Sequence, residues 1–131
     1  MKLHGLEHEI QLVAGDFTQR GGIEGMHRLL DADIRPTAVF MANDYSAMGA
    51  LEVLDDAGMR VPGDLSLIGY DNLAAAELHR IRLTTVDQPR FDIGHLAVEL
   101  LLERLEEGRS EARHVVLPPE LVVRATTGPP P

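Results

Sequence analysis

Short, continuously apolar runs alternate along this chain with stretches whose apolar residues recur at helical spacing, and this alternation constrains the fold more than any other feature. Apolar runs without polar alternation are typical of parallel strands that are buried on both faces. We predict strands at Ile10–Ala14, Ala38–Ala42, Leu65–Gly69 and Leu83–Val86. Helices are predicted over 22–32, from 43–44 to 58, and over 89–108. This order predicts an α/β fold, a doubly wound and mostly parallel sheet with helices on both faces.

Local signals mark where the predicted helices begin and end. The pair Gly21-Gly22 disfavours a helix, which places a loop before the first one. Either Asn43 or Asp44 can cap the second helix, because a short side-chain oxygen accepts a backbone N–H of the first turn. Pro89 suits the first turn of the third helix, and Gly108 suits its end. This third helix is the longest amphipathic element that the sequence predicts.

The segment 114–131 is predicted to form a hairpin and a tail. Two runs rich in β-branched residues, Val115–Leu117 and Leu121–Val123, flank the pair Pro118-Pro119. Proline lacks the backbone N–H that a central strand donates, so these runs suit the edge of a sheet. We expect an edge hairpin or an extended arm.

Polar residues follow the ends of four predicted strands. They are Asp16-Phe17, Asn43-Asp44, Tyr70-Asp71-Asn72 and Asp87-Gln88. Parallel strands present their carboxyl ends at one edge of a sheet, where the ligands of α/β proteins bind, so the four groups should lie close together. Carboxylates and amides accept and donate hydrogen bonds, and an aromatic ring supplies a stacking face. The four groups therefore predict a site for a small polyol, sugar or base.

Other chemistries have weaker support in the sequence. The segment His4-Gly5-Leu6-Glu7-His8 matches the zinc pattern H-x-x-E-H, but Gly5 and the strand predicted from Ile10 interrupt the helix that this pattern needs. We therefore predict no metal site. No serine has the flanking glycines of a nucleophile elbow. Asp44 and Asp71 could form an acid and base pair across a cleft, although a helix cap and a turn residue are the simpler interpretation.

Composition limits the partners of the chain. Its formal net charge is −9, from 12 basic and 21 acidic residues, so its overall field opposes binding to nucleic acid. It contains no cysteine, which fits a reducing compartment. Its first residues lack the apolar stretch of a signal peptide, and no apolar run approaches the roughly 18 residues of a membrane-spanning helix. These features predict a cytoplasmic protein without membrane contact.

Several motifs resemble those of the LacI/GalR family of bacterial transcriptional repressors. The segments are PTAVFMANDYSAMGALEVLDDAGMRVPGDLSLIGYDN and LTTVDQPRFDIGHLAVELLLERL, with GDF before them and LPPELVVRAT after them. Family members have a helix-turn-helix DNA-binding domain, a hinge helix and a two-lobed effector domain that resembles periplasmic sugar-binding proteins. The resemblance, from about Gly15 to Thr127, implies that residues 1–131 are a single C-terminal lobe without the helix-turn-helix domain.

The resemblance also assigns roles to four of the polar and aromatic residues. Phe17 corresponds to the aromatic residue that stacks on the effector, and Asn43 to a residue that hydrogen-bonds a sugar hydroxyl. Asp71 corresponds to the carboxylate that binds effector hydroxyls or a base edge, where charge-assisted hydrogen bonds are strong. Gln88 lies where the chain crosses between the lobes. Tyr70 is expected to pack beneath the site.

A LacI-type lobe implies a ligand-sensing role without enzymatic activity or a cofactor. Its effector would be a sugar or a purine-like base, and it would meet DNA only through the domain that is absent here. A free-standing periplasmic-type sugar-binding protein is the alternative, and an enzyme on the same scaffold is a third possibility. The upstream genomic sequence would separate the first two, through a helix-turn-helix frame or a signal peptide.

The resemblance implies surfaces as well. Family dimers pair through this lobe, which implies contacts from Met48, Leu51, Leu54 and the segment 78–83 that begins at Leu78. A core position is an equally good interpretation of Leu51. The helix over 89–108 would belong to the other lobe, which leaves its apolar stripe without its usual partner. We therefore expect that the chain self-associates or that this helix packs in another way.

Overall fold

The computed structural model describes residues 5, 7–106, 108 and 110–131. The three α-helices are α1 (Gln19–Leu30), α2 (Asp44–Asp56) and α3 (Arg90–Glu106), and the four strands are β1 (Ala38–Phe40), β2 (Ser66–Tyr70), β3 (Thr84–Asp87) and β4 (Glu120–Val122). Two short 3₁₀ helices cover Glu7–Glu9 and Ala74–Glu77. The three predicted helices and three of the four predicted strands are confirmed, with ends that differ by a few residues.

The strands form one mixed sheet in the order β1-β2-β3-β4. β1, β2 and β3 are parallel, with Val39 beside Leu67 and Gly69 beside Thr85, whereas β4 runs antiparallel to β3. The mostly parallel sheet that the sequence predicts is thus confirmed. The carboxyl ends of the three parallel strands lie at the same edge.

Helices α1 and α2 pack closely against each other, and this contact corrects the prediction at Gly21-Gly22. Both glycines lie inside α1, which begins after the N-cap Thr18, whose hydroxyl accepts the Gly21 N–H at 2.9 Å. A Cβ at Gly22 would lie 2.1 Å from the carbonyl oxygen of Ser46, and one at Gly49 would lie 2.1 Å from that of Gln19. Glycine therefore permits the backbones to approach, and the predicted loop is part of the helix.

The core lies between this helix pair and the sheet. Its fully buried side chains come from α1, α2, β2 and the segments before β2 and β3: they are Met26, Ala47, Ala50, Leu54, Leu65, Leu67 and Leu83. A 3₁₀ residue, Ala76, is also buried. The helix and strand patterns that predicted the fold therefore converge on one hydrophobic cluster.

The strand predicted at Ile10–Ala14 is wrong: this segment forms no strand and is exposed throughout. The apolar pattern predicts burial, but a strand also needs a neighbouring backbone to pair with. Among the described residues β1 pairs only with β2, and a groove separates β1 from this segment. The unfilled groove explains why Leu12 is 92% exposed.

The C-terminal segment forms a single strand rather than the predicted hairpin. β4 pairs with the edge of β3, but residues 115–117 have no strand partner. The chain then returns to β2, where the Leu67 N–H donates to the carbonyl of Thr126 at 2.7 Å. The Gly128 N–H donates to Ser66 Oγ at 3.1 Å. Hydrogen bonds to the sheet hold the tail in place, so an extended arm describes it better than a hairpin.

Helix α3 contains no buried residue. Its apolar side chains are open to solvent, with Phe91 83%, Leu105 70% and Leu101 55% exposed. The amphipathic pattern correctly predicts a helix here. An apolar stripe of this size, left uncovered, is a surface suited to interaction.

Glu7–Glu9, within the H-x-x-E-H pattern and just after it, form a short 3₁₀ helix, and His4 and Leu6 lie outside the described residues. Within the described ranges, no three His, Asp or Glu side chains are grouped closely enough to hold a metal ion. Among the described helices, none combines the length and apolarity needed to cross a membrane.

Candidate functional site

Asn43 stands at the carboxyl end of β1 and caps α2. Its Oδ1 accepts the backbone N–H of Ser46 at 2.9 Å, and the Ser46 hydroxyl in turn lies 3.2 Å from the Asn43 N–H. The two interactions form a capping box. The Asn43 Nδ2 group donates to the carbonyl of Phe17 at 2.8 Å. The cap that the sequence predicted is therefore also the contact that joins β1 to the segment before α1.

Phe17 presents an exposed ring beside this cap. Its backbone has a φ of 63°, and the residue is 65% exposed. The turn is fixed by Asp16, whose Oδ1 accepts from the Thr18 N–H and the Thr18 hydroxyl at 3.1 and 2.7 Å. These two hydrogen bonds hold the pKa of the Asp16 carboxyl below its usual value. The aromatic face is thus available for stacking and is held by the residues on either side.

Asp71 follows β2, and Gln88 follows β3. The Gln88 Nε2 group donates to Asp71 Oδ1 at 2.6 Å. Arg90 Nη1 donates to the backbone carbonyl of Asp71 at 2.6 Å, and the Asp71 N–H donates to the Val86 carbonyl at 2.9 Å. Partial burial raises the pKa of the Asp71 carboxyl above 3.8, and the negative charge of Asp44 acts in the same direction; the Gln88 hydrogen bond and Arg90 oppose them.

Asp44 is a residue whose role the sequence interpretation missed. Its side chain is fully buried, and its two oxygens accept from the Leu73 N–H at 2.7 Å and the Thr85 hydroxyl at 2.6 Å. A Cβ at Gly69 would lie 2.2 Å from Asp44 Oδ1, so glycine in β2 makes room for this carboxylate. Asp44 therefore fastens the loop that carries Asp71 to the start of α2. Its burial and these two hydrogen bonds do not favour an acid and base pair with Asp71.

Arg124 holds the same loop from the other side. Its guanidinium is mostly buried and donates to Asn72 Oδ1 at 2.7 Å and to the Leu83 carbonyl at 2.8 Å. A further contact joins it to Glu77 at 3.2 Å. The sequence offers no local signal for this role, because Arg124 is 52 residues from Asn72 along the chain.

The structure thus brings the four predicted site residues together as two hydrogen-bonded pairs. Phe17 and Asn43 form one pair, and Asp71 and Gln88 form the other. Asp44, next to Asn43 in the chain, acts electrostatically on Asp71 and links the pairs. Beside the second pair is a cleft of about 440 Å³, bordered by Asn72, Gln88 and Arg90. Acceptors, donors and a ring at one edge can bind a small polar ligand with a flat face.

The residues proposed for a dimer contact differ in exposure. Leu78 is 57% exposed, and Met48 and Leu51 are half-buried. Leu51 also packs against the core. Leu54 has no accessible surface, because it is a central core residue, so it is not available to a partner. This burial corrects its assignment to a surface.

Comparison with known proteins places this arrangement in a family. Residues 1–127 match the model of the periplasmic binding protein-like domain. The chain belongs to this family. Its periplasmic binding protein-like fold agrees with the α/β half-domain predicted from the sequence.

The relatives of this periplasmic binding protein-like chain are transcriptional regulators. The HTH-type transcriptional repressor PurR of Photorhabdus laumondii is 42% identical over 113 residues, which cover 86% of this chain and 33% of the repressor. PurR of Escherichia coli O1:K1 / APEC is 42% identical over 116 residues, 88% of this chain and 34% of the repressor. The chain therefore spans about a third of the length of these curated relatives.

Solved structures give the same result. A LacI transcriptional regulator from Rhodococcus superposes with a TM-score of 0.92 at 39% identity, over 98% of this chain and 47% of that one. A LacI family regulator from Enterococcus faecium with bound ribose has a TM-score of 0.87 at 34% identity, over 98% and 47%. The CelR–cellobiose complex has a TM-score of 0.82 at 35% identity, over 92% and 38%. The LacI-family resemblance is confirmed, and these similar proteins are regulators rather than enzymes.

Proposed function

We propose that this chain is the effector-binding lobe of a LacI-type transcriptional regulator, and that Phe17, Asn43, Asp71 and Gln88 form its half of the effector site. The observation that carries the proposal is that Asn43, Asp71 and Gln88, from the ends of neighbouring parallel strands, and Phe17, from the segment before α1, are joined into two hydrogen-bonded pairs. Similar regulators hold ribose or cellobiose in their solved structures. A sugar or a purine-like base is the corresponding effector here.

Each side chain has a chemical role in this proposal. The Asp71 carboxylate accepts hydrogen bonds from two neighbouring effector hydroxyls or from a base edge, and ionised acceptors make the stronger bonds. An effector hydroxyl replaces the Gln88 donor on Asp71, which frees the Gln88 amide to bind a second effector atom. The Phe17 ring stacks on the flat face of the ligand. Asn43 Nδ2 can exchange its Phe17 carbonyl partner for an effector oxygen.

The proposal extends to the parent protein. DNA binding belongs to a helix-turn-helix domain outside these 131 residues, as the names of the HTH-type relatives suggest. The lobe itself is unsuited to this role, because its net charge of −9 opposes contact with phosphates. The relatives are regulators, which favours this role over a free-standing sugar-binding protein. A cytoplasmic location follows from regulation of transcription.

Two surfaces complete the proposal. Helix α3 belongs to the second lobe of the effector domain, and its apolar stripe, in which no residue is buried, is consistent with that assignment. A homodimer contact uses Leu78, with Met48 and Leu51 as partly exposed neighbours on α2. Both assignments leave the sheet edge that carries the site open to a ligand.

An NMR titration of the isotope-labelled chain tests the site directly. Ribose, cellobiose and hypoxanthine are added separately, and the side-chain amide signals of Asn43 and Gln88 are followed. We expect one compound to shift both signals. The shifts should need a high concentration, because one lobe supplies only half of the contacts and should bind weakly. If none of the three, nor a wider panel of sugars and bases, perturbs either signal, the assignment of the site is wrong.

The matched variants are Asp71→Ala and Asp55→Ala. Asp55 lies exposed near the end of α2, so its replacement controls for the loss of one negative charge. We expect Asp71→Ala to abolish the shifts and Asp55→Ala to retain them. Equal responses from the two variants would show that Asp71 does not contact the ligand.

A further inference from the structure

The chain between β2 and β3 has unusual backbone at both of its ends. Asp71 and Asn72 have φ values of 109° and 50° at the first end, and Arg82 has a φ of 44° at the second. Positive φ values are uncommon in residues other than glycine, and they cluster in ligand clamps and switch regions. Residues 71–72 are called the first bend here, Arg82 the second bend, and residues 73–81 between them the flap.

The flap is held by hydrogen bonds more than by packing. Ala76 is its one buried residue. The N–H groups of Ile81 and Arg82 both donate to the Leu78 carbonyl, at 2.8 and 2.9 Å. A segment that buries so little apolar surface has low local stability. The order of the flap therefore depends on the contacts that fix the two bends.

One mostly buried guanidinium contacts the chain at both bends. The Arg124 side chain is 14% exposed, and its Nη2 donates to Asn72 Oδ1, in the first bend, at 2.7 Å. Its Nη1 donates to the Leu83 carbonyl, directly after the second bend, at 2.8 Å. The Ala125 N–H donates to the Arg82 carbonyl at 2.8 Å. Because a guanidinium is planar and rigid, its two hydrogen bonds hold the bends at a fixed separation.

This arrangement lies between two surfaces that have proposed roles. The first bend contains Asp71, which accepts from Gln88 at 2.6 Å in the proposed effector site. The flap contains Leu78, which is 57% exposed on the proposed dimer surface. A third contact of Arg124, to Glu77 Oε1 at 3.2 Å, lies next to Leu78 in the chain. Arg124 thus connects the segment that binds the effector to the segment that meets a partner.

We infer that Arg124 is a positioning residue that couples the effector site to the flap, an inference that rests on the proposed function. An effector bound to Asp71 holds the first bend in one conformation. Arg124 extends this constraint to the second bend and so orders the surface around Leu78. Because coupling between binding sites is reciprocal, a partner on that surface strengthens effector binding by the same factor.

A substitution at the second bend tests the coupling without a ligand. Arg82→Gly widens the range of conformations open to this bend, because glycine lacks a Cβ. We expect it to shift the NMR signals of the Gln88 side-chain amide, which donates to Asp71. The control is Arg80→Gly, which removes the same exposed side chain from within the flap and should leave these signals unchanged. Equal shifts from the two variants would reflect the lost charge alone and would overturn the inference.

Two backgrounds identify the residue that carries the coupling. Arg124→Lys keeps the positive charge but loses the planar fork that reaches both bends, so Arg82→Gly should no longer shift the Gln88 signals. Asn72→Gly should have the same effect, since glycine accepts the positive φ but offers no side-chain acceptor to Arg124. If Arg82→Gly still shifts the signals in either background, the change travels along β3 and the coupling role of Arg124 is refuted.

Hydrogen exchange with ligands separates this inference from the assignment of the site. In titrations with ribose, cellobiose and hypoxanthine, the side-chain signals of Asn43 and Gln88 report binding. The amides of Ile81 and Arg82 report the order of the flap. We expect a compound that binds to slow their exchange about fivefold or more in the wild type, and not in Arg124→Lys.

The two possible failures of the ligand experiment differ in their meaning. A compound that shifts the site signals without slowing exchange in the flap would leave the site assignment intact and overturn the coupling. If no compound binds, the site assignment fails, and the response of the Gln88 signals to Arg82→Gly still decides whether Arg124 links the two bends.

Discussion

At the residue scale, two of the side chains proposed to meet the effector, Phe17 and Asp71, and the neighbouring Asn72 have backbone conformations that few residues adopt. Phe17, Asp71 and Asn72 have positive φ values of 63°, 109° and 50°. Such conformations cost on the order of 1 kcal/mol or more each and persist where the surroundings determine them. Here the Asp16 carboxylate fixes the turn at Phe17, the Val86 carbonyl accepts the N–H of Asp71, and Arg124 donates to the side chain of Asn72. Rigid turns of this kind hold the site in place before a ligand arrives.

The Asp71 carboxylate should reduce the stability of the unliganded chain at neutral pH. Its pKa is raised by partial burial, so the folded state holds a proton more tightly than the unfolded state does. The penalty is complete above the folded pKa and disappears below the ordinary value of 3.8. We expect Asp71→Asn to unfold at a higher temperature than the wild type at pH 7, and the difference to vanish in acid.

Asp64→Asn should change the unfolding temperature at pH 7 in the opposite direction to Asp71→Asn. A hydrogen bond from Arg60 lowers the pKa of Asp64 to about 2. This carboxylate therefore stabilises the chain above 3.8, and the contribution is lost as the pH falls toward 2. Its replacement should lower the Tm at pH 7. Shifts of the same sign in both variants would contradict the interpretation of Asp71.

Replacing Asp44 should destabilise the fold and loosen the site together. Asp44→Ala leaves the Leu73 N–H and the Thr85 hydroxyl without their acceptor, which costs about 2 to 3 kcal/mol of the free energy of unfolding. Denaturant titration measures this loss, and the Leu73 amide should exchange faster. The exposed Asp55→Ala control should change stability by no more than about 0.5 kcal/mol.

The residues of the site could be predicted to different extents. Asn43, Asp71 and Gln88 follow apolar runs, and the rule that parallel strands end at one edge places them correctly. Asp44 and Arg124 could not be found in this way, because their partners lie 29 to 52 residues away in the sequence. A local pattern identifies a cap or a turn, whereas only the folded chain identifies which loop a buried carboxylate holds.

At the element scale, the contact between α1 and α2 shows that packing between helices can outweigh the low helix propensity of single residues. Two adjacent glycines weaken a helix by roughly 1 kcal/mol each relative to alanine. The structure nevertheless places them inside α1, where a side chain at Gly22 would clash with the backbone of α2 at Ser46 and one at Gly21 would clash with Asp16. The run Ile10–Ala14 is the converse case, where a favourable strand pattern fails because the described part of the chain supplies no backbone for it to pair with. Sequence periodicity therefore predicts elements well only where their partners are present.

Matched glycine substitutions test this view of the helix pair. Gly22→Ala should lower the free energy of unfolding by about 1 to 3 kcal/mol, because the new methyl group would force α1 and α2 apart. At Gly94 in α3 an added methyl group would meet open space. Gly94→Ala should therefore leave the free energy of unfolding unchanged or raise it by up to about 1 kcal/mol, because alanine has the higher helix propensity. Chemical denaturation of both variants measures the contrast. A stabilising Gly22→Ala would show that the helices are not tightly apposed.

At the scale of the whole molecule, charge and apolar surface oppose each other. A net charge of −9 keeps copies of the chain apart, while α3 exposes apolar side chains that favour association. Repulsion between exposed charges is screened by salt within roughly 10 Å at 0.1 M. Association through α3 should therefore increase with ionic strength.

We expect sedimentation velocity in salt to give a mass above the 14.4 kDa of one chain. The double variant Leu101→Lys, Leu105→Lys changes one face of α3 and should restore the single-chain mass. Val116→Lys, at an apolar and even more exposed position outside α3, should not. If Met48→Glu alone restores the single-chain mass, the association uses the α2 surface and the prediction for α3 fails.

The hydrogen bonds between the tail and β2 have a consequence for synthesis on the ribosome. Ser66 and Leu67 bond to Gly128 and Thr126, about 60 residues later in the chain. Contacts between residues so distant in sequence form late, because a long loop must close first. The lobe therefore cannot finish folding until residues 126–128 have left the exit tunnel. Until then the start of β2 lacks these hydrogen bonds, and the speed of translation up to residue 128 sets how long that vulnerable interval lasts.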